Sequence, residues 1–426
     1  MPAPGVTSSP LDALNRIAGR PLVRTLLLLC ALLGVYLQAH TFFLSESHEV
    51  DSYSYWFAAE AVRDGGDPYD LKLLQELGRA HDLRLVAGDT RAPEIYPYVY
   101  PPPFAGVWRV FLAWPPTRVH RLLEVLGTLL LGVALFAIHR LVRPRRHGAL
   151  LFALFAVTLA VNGPAVSSTR LGQINAGILA AMGFAALRRR DGHDRSSALA
   201  LAGATLVKLT PGLLLLGFGS GSGFVFGDRR WRGYVLKFTL ALGALVLVTL
   251  PLAPPATWVH FWNALRHGLP WQTEYSLWGW LTLHGAQHPA LAAGRVPIYA
   301  LGWTVLIACT WRHLRRVDDT DRVLEGTACT IVLGLLLSPL TWQHHFLFFM
   351  LPGYVWIARA WSTERTFTAL ALAGLTAVVL LRLPGGVLVV RPIATLLAFA
   401  IATLGPYGER GATSAPGLAP SMPAPR

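Results

Sequence analysis

Cysteine is nearly missing from this chain. Its three thiols, Cys30, Cys309 and Cys329, all lie inside apolar runs, where a thiol packs as a small hydrophobe, which argues against a disulfide framework or a cysteine metal centre. Charge is scarce too: 14% of residues are Asp, Glu, Lys or Arg against 53% hydrophobic, and mean hydropathy is +0.45. No HExxH, paired CxxC or dense acidic cluster offers ligands for a metal. GxSxG, Walker A and Rossmann fingerprints are absent as well, so hydrolase, ATPase and dehydrogenase readings lack support. No repeat and no inverted pair of matching halves is evident, which counts against a transporter.

What the chain has in abundance is long uninterrupted apolar runs, the mark of an all-α polytopic membrane protein. The first run, 22 to 44, exceeds a signal-peptide h-region and lacks a small-x-small cleavage site, so it reads as a retained span. The net charge of +14 raises nucleic acid as a partner, and the placement of the arginines decides the matter. They cluster in short loops, "HRLVRPRRH" (139 to 147), "RRRDGHDR" (188 to 195), "DRRWR" (228 to 232) and "RHLRR" (312 to 316). That is the positive-inside pattern, and no aromatic-basic soluble domain accompanies it.

With Arg16, Arg20 and Arg24 inside, the first span exits and residues 45 to 118 form a long external loop. Eleven of the 23 carboxylates fall there, with five Lys or Arg before Pro101, more polarity than a connector needs. Spans near 120 to 139, 148 to 164 and 173 to 188 follow, the last two joined by the external tip "NGPAVSSTRLGQIN" (162 to 175). Residues 196 to 227 start and end beside inside-type loops yet are broken by "KLTPG" (208 to 212), which predicts two shorter membrane helices meeting near Pro211 with Lys208 toward the outside. Runs near 233 to 253, 297 to 311, 325 to 340, 346 to 361, 366 to 382 and 386 to 404 complete about twelve membrane helices, with an interfacial helix at 104 to 115. The organisation is then a cytoplasmic segment 1–21, one polytopic catalytic domain 22–406 and a disordered cytoplasmic tail 407–426.

The unusual polar residues gather on the external side: Asp51, Tyr100-Pro101-Pro102, Arg170, Gln173, Asn175, Lys208, His344 and His345. Asp51 is either a solvated loop acid or helix N-cap, or a carboxylate placed to take a proton from an alcohol. Lys208 in an apolar segment costs about 2.5 to 3.5 kcal/mol unless it snorkels or pairs. Facing the bundle interior it could hold a lipid phosphate, with Arg170 as second cation. Gln173 and Asn175 in "LGQIN" suit capping or helix–helix hydrogen bonds. The five tryptophans of 258 to 280 suit an interfacial belt, with sugar stacking open for one or two of them. His344 and His345 are adjacent and project about 100° apart on a helix, which disfavours joint chelation of one metal. One ring facing substrate and one anchoring the turn is the better assignment, with the order of the two open.

Taken in order, "DSYSY" (51 to 55), "GGDPY" (65 to 69), "YPYVYPPPF" (96 to 104), "GQIN" (172 to 175), "KLTP" (208 to 211), "RRW" (229 to 231) and "SPLTWQHH" (338 to 345) resemble glycosyltransferase family 87. The resemblance runs from about residue 45 to 350. It implies a GT-C fold with its active site on the outer face of the bacterial plasma membrane, no cofactor and no metal. The family's members are mostly polyprenyl-phosphate-mannose-dependent α-1,2-mannosyltransferases of actinobacterial envelope glycolipid synthesis. The reaction implied is inverting transfer from a polyprenyl-phosphate sugar to a glycolipid or polysaccharide acceptor, in the lipid bilayer and without nucleic acid. The family's acidic base maps onto Asp51. Lys208, Arg170 and a protonated His344 or His345 would steady the leaving phosphate, and Tyr100, Gln173 and Asn175 would line the donor site. The family also holds arabinofuranosyltransferases, and the "SPLTWQHH" turn looks more like the mannosyl enzymes. The inserted "SGSGF" (220 to 224) and the serine-rich setting of Asp51 leave the acceptor open, and a lipid or sugar transporter is the rival from another class.

Overall fold

The computed structural model describes residues 9–46, 51–81, 95–144, 147–219, 229–267, 275–338, 341–382 and 390–405. Every regular element among them is helical, and the strand-like pairing is limited to a single bridge between Asn162 and Leu381. Among the described residues four helices are long and apolar enough to cross a membrane: Pro21–Thr41, Pro116–Val142, Arg229–Thr249 and Pro289–Leu314. Gly148–Leu159, Thr366–Leu380 and Val390–Leu404 are apolar but shorter. The expected tail at 407–426 and the "SGSGF" segment lie outside the described residues.

Apolar side chains face outward along the long helices, as at Leu26, Leu29, Leu33 and Leu37 of the first and Leu236, Leu240 and Leu247 of the Arg229–Thr249 helix. Such contiguous exposure fits a lipid-facing wall rather than a water-facing one. Inside that wall a core of Leu, Ala, Phe and Val runs from Ala31 to Phe399. A second, aromatic core forms on the segment expected to be external: Tyr53, Tyr55, Trp56, Phe57, Tyr98, Tyr100, Phe104 and Trp108 pack with Leu74 and Ile95.

Helix ends separate the charges. The Asn175–Arg190 helix carries Asn175 at one end and Arg188, Arg189 and Arg190 at the other, and at 1.5 Å per residue those ends are about 20 to 22 Å apart. Asp194–Val207 returns antiparallel, with Asp194 at the basic end and Lys208 as its C-cap at the opposite one. The basic loops brace one another: Arg143 donates to Asp191 at 3.2 Å, Asp194 takes Lys237 at 2.8 Å as well as Arg189, and Arg190 donates to the Leu141 carbonyl.

Several boundaries differ from the sequence expectation. The helix expected at 104–115 starts at Pro102 and ends at Trp108, followed by a 3-10 turn over Arg109–Phe111. Two prolines at its start fix φ where no amide donor is needed. Pro297 lies inside the Pro289–Leu314 helix instead of opening a span, since a proline removes one amide donor without preventing the flanking turns. Residues 343–349 are a 3-10 helix leading into Met350–Ser362, so the histidine turn is coiled rather than a loop before a span. The break at "KLTPG" occurs as expected: Lys208 is extended (φ −149°, ψ 129°), and Thr210–Leu213 and Leu214–Gly217 continue as short turns. Gly217 sits against Gly326, where a Cβ on Gly217 would lie 2.3 Å from the Gly326 carbonyl oxygen, so only small residues let these segments meet.

Candidate functional site

The GGDPY segment braces the aromatic core. Gly65 takes a left-handed φ of 78° after the Asp51–Arg63 helix, Asp67 accepts from the Tyr69 amide at 2.8 Å, and the Tyr69 hydroxyl donates to the Tyr100 carbonyl at 2.8 Å. Tyr100 is thereby fixed from behind. Its hydroxyl lies 2.8 Å from that of Tyr55 and donates to Gln173 Oε1 at 3.1 Å.

Gln173 is oriented by two donors. Its Oε1 also accepts from Asn175 Nδ2 at 3.1 Å, so its amide nitrogen must point the other way, and it donates to Asp51 Oδ2. Asn175 in turn accepts on Oδ1 from Lys208 Nζ at 3.1 Å. The result is a directed line: Lys208 donates to Asn175, Asn175 to Gln173, and Gln173 to the Asp51 carboxylate. Each dipole in such a line strengthens the next. Amide side chains suit its interior because each carries one donor end and one acceptor end.

The far end of the line reaches the histidine turn. Lys208 Nζ lies 2.6 Å from His345 Nε2, and 5.6 Å above the Tyr100 ring. His345 Nδ1 accepts from the Trp342 amide at 3.0 Å, so one imidazole both holds the turn and faces the lysine. His344 is buried, stacks on Trp342 at 6.3 Å and meets His345 edge-on at 4.5 Å. The Gly163–Arg170 helix packs against the histidine turn. Arg170, half-buried at the end of the Gly163–Arg170 helix, is thus beside the turn but outside the hydrogen-bonded line.

The loop between Arg170 and Asn175 is held by close contact. Gly172 has φ 64°, and a Cβ there would lie 2.8 Å from Ser52 Cβ and 2.9 Å from His120 Nδ1. The Ser52 amide donates to the Leu171 carbonyl at 3.1 Å, which ties the residue after Asp51 to the residue two before Gln173.

Sequence reasoning missed the support behind this contact. Ser52 Oγ is 2.8 Å from His120 Nδ1, His120 Nε2 is 3.6 Å from Glu124 Oε1, and Glu124 Oε2 is 3.3 Å from His40 Nδ1. The signal was present as an i,i+4 His–Glu pair inside an apolar span. Tyr55 was also missed as a partner of Tyr100. Among the tryptophans of 258 to 280, Arg266 lies 5.5 Å over Trp262, Arg295 lies 4.8 Å over Trp278, and Trp280 tilts on His284 at 4.8 Å. Trp271 lies outside the described residues.

Burial pushes the phenols of Tyr55, Tyr98 and Tyr100 well above the ordinary tyrosine range, with the nearby Asp51 carboxylate adding to the rise at Tyr55 and Tyr100. The tyrosines are therefore neutral hydrogen-bonding groups. The arrangement offers a carboxylate able to take a proton and, at the other end of the line, a lysine against the histidine turn able to face an anion.

A polyprenol-phosphate-mannose-dependent alpha-(1-2)-phosphatidylinositol mannoside mannosyltransferase from Mycobacterium tuberculosis is similar to this chain, with 28% identity over 307 residues that cover 67% of each protein. Residues 98–339, more than half of the chain, match glycosyltransferase family 87. The matched stretch contains Tyr100, Arg170, Gln173, Asn175 and Lys208, and lies between Asp51 and the two histidines. By that match, and with a helical architecture carrying membrane-length apolar helices, the chain belongs to glycosyltransferase family 87.

Proposed function

We propose that this membrane glycosyltransferase moves mannose from a polyprenyl-phosphate donor to a hydroxyl of a glycolipid or glycan acceptor on the external face of the membrane, with Asp51 as general base. The observation that carries the reading is the directed line from Lys208 through Asn175 and Gln173 to Asp51. It joins, in one built site, the two charges that such a displacement needs.

In the reaction the acceptor O–H gives its proton to the Asp51 carboxylate as the oxygen attacks the anomeric carbon. The bond from that carbon to the phosphate oxygen breaks, and polyprenyl phosphate leaves with the electron pair. Negative charge therefore grows on the phosphate, where Lys208, Arg170 and the imidazoles of His344 and His345 lower its energy. Attack and departure on opposite faces of the sugar invert the anomeric centre, which suits a base and a cation cluster at opposite ends of a line. Gln173 holds the carboxylate in place, and Tyr100 and Asn175 hold Gln173. Mannose is favoured over arabinofuranose by the character of the "SPLTWQHH" turn and by the mannose-dependent relative.

The test is a membrane assay that supplies polyprenyl-phospho-mannose or polyprenyl-phospho-arabinose with a mannoside glycolipid acceptor. Transfer from the mannose donor is expected. Transfer from arabinose alone would reassign the donor, and transfer from neither would favour a transporter.

A further inference from the structure

A cleft of about 470 Å³ opens beside the Asp51–Arg63 helix and is lined by Trp56, Glu60, Arg63, His81 and the Leu112–Thr117 turn. Glu60 lies nine positions after Asp51, so on this helix it projects about 180° from the carboxylate and lies about 13 Å along the axis. The cleft is therefore distinct from the Asp51–Lys208 line.

Its polar wall is built and its charges are matched. Glu60 is only 7% exposed. Its Oε1 accepts from Arg63 Nη2 at 3.3 Å and its Oε2 lies 3.0 Å from His81 Nε2, while Arg63 also holds Asp64 through Nε at 2.7 Å. The opposite wall is apolar. Trp114 is 47% exposed, and its carbonyl accepts from Trp56 Nε1 at 3.1 Å, which pins the turn to the helix.

These features select a ligand class. A free anion would meet Glu60, a free cation would meet Arg63, and no group of three side chains placed to hold a metal exists among the described residues. A neutral ring dense in hydroxyls suits both walls: its O–H groups pair with the carboxylate, guanidinium and imidazole edges, and its C–H face lies on an indole. We propose that this cleft is a carbohydrate-binding subsite, apart from the reaction centre, that holds a pyranose of a glycan or a glycolipid headgroup. It goes beyond the reaction proposed above and does not depend on which sugar is transferred. A glycan held there while its end reaches Asp51 gains effective concentration at the reaction centre.

The experiment is saturation-transfer NMR and calorimetry with mannotriose on the full chain, in a detergent without a sugar headgroup and without donor. Wild type, Gln173→Ala, Trp114→Ala and Glu60→Gln are compared, with the melting temperature of each as the check on folding. Wild type and Gln173→Ala bind the trisaccharide equally, and Trp114→Ala and Glu60→Gln bind it about tenfold more weakly or worse. No saturable binding to wild type, binding unaffected by both cleft variants, or displacement by inorganic phosphate instead of free mannose would each overturn the subsite. Because no donor is present, failure here is separable from failure of the transfer reaction.

Discussion

Lys208 and Asp51 are the two ends of one line of hydrogen bonds in which every side chain donates toward the carboxylate. The line depends on the two amides between them, which are able to receive on one end and give on the other.

Gln173 is the link that touches the carboxylate. Gln173→Glu replaces its donor with a second negative charge against Asp51, so transfer activity falls by about 10² to 10³. Gln173→Ala loses the donor without adding charge and falls less. The check is kcat at saturating donor and acceptor, and an unaltered kcat in Gln173→Glu would show that the line has no part in the reaction.

In the proposed reaction Lys208 is the cation that faces the leaving phosphate. Lys208→Met, similar in length but uncharged, lowers transfer by about 10² or more, because the leaving phosphate loses a partner. Lys208→Arg does not restore it, since a planar fork cannot meet Asn175 Oδ1 and His345 Nε2 as a compact ammonium does. Steady-state assays over donor concentration separate a change in KM from a change in kcat.

Gly172 is required by conformation and by space. Gly172→Ala places a Cβ against Ser52 and His120 at a left-handed φ, and stability falls by about 1 to 3 kcal/mol. Thermal unfolding in detergent shows the loss as a lower Tm, and an unchanged Tm would mean that the loop at 171–174 relaxes freely.

Alkaline pH probes the aromatic core. Tyr55, Tyr98 and Tyr100 stay protonated in the fold well above the ordinary tyrosine value, chiefly because they are buried. The unfolded chain releases these protons near pH 10, so it binds fewer protons than the fold above that pH. Their contribution is intact below pH 10 and declines as pH rises beyond it. Melting curves from pH 8 to 11 should show Tm dropping above about pH 10, and Tyr98→Phe should reduce the slope of that drop.

Much of this was legible in the sequence, for identifiable reasons. Apolar runs pointed to an all-helical chain with membrane-length helices, of which the described residues show four against the twelve or so expected, and the grouping of Asp51, Tyr100, Gln173, Asn175, Lys208, His344 and His345 was expected from counting crossings. The order of contacts was not legible, because Asp51, Tyr100, Gln173 and Lys208 come from four distant segments and meet through side-chain geometry alone. Gln173 and Asn175 were readable only as caps or helix glue. Adjacent histidines could be assigned one role each, whereas His345 takes two, holding the Trp342 amide with one nitrogen and facing Lys208 with the other. The His40–Glu124–His120–Ser52 support was hidden by its spread over three helices.

The most direct measurement compares wild type with Asp51→Asn in transfer of mannose from polyprenyl-phospho-mannose to a mannoside glycolipid. The asparagine keeps the shape and can still meet Gln173, but cannot take the acceptor's proton, so transfer falls by about 10² to 10⁴ while donor binding persists. Equal transfer by the two proteins would contradict Asp51 as the base.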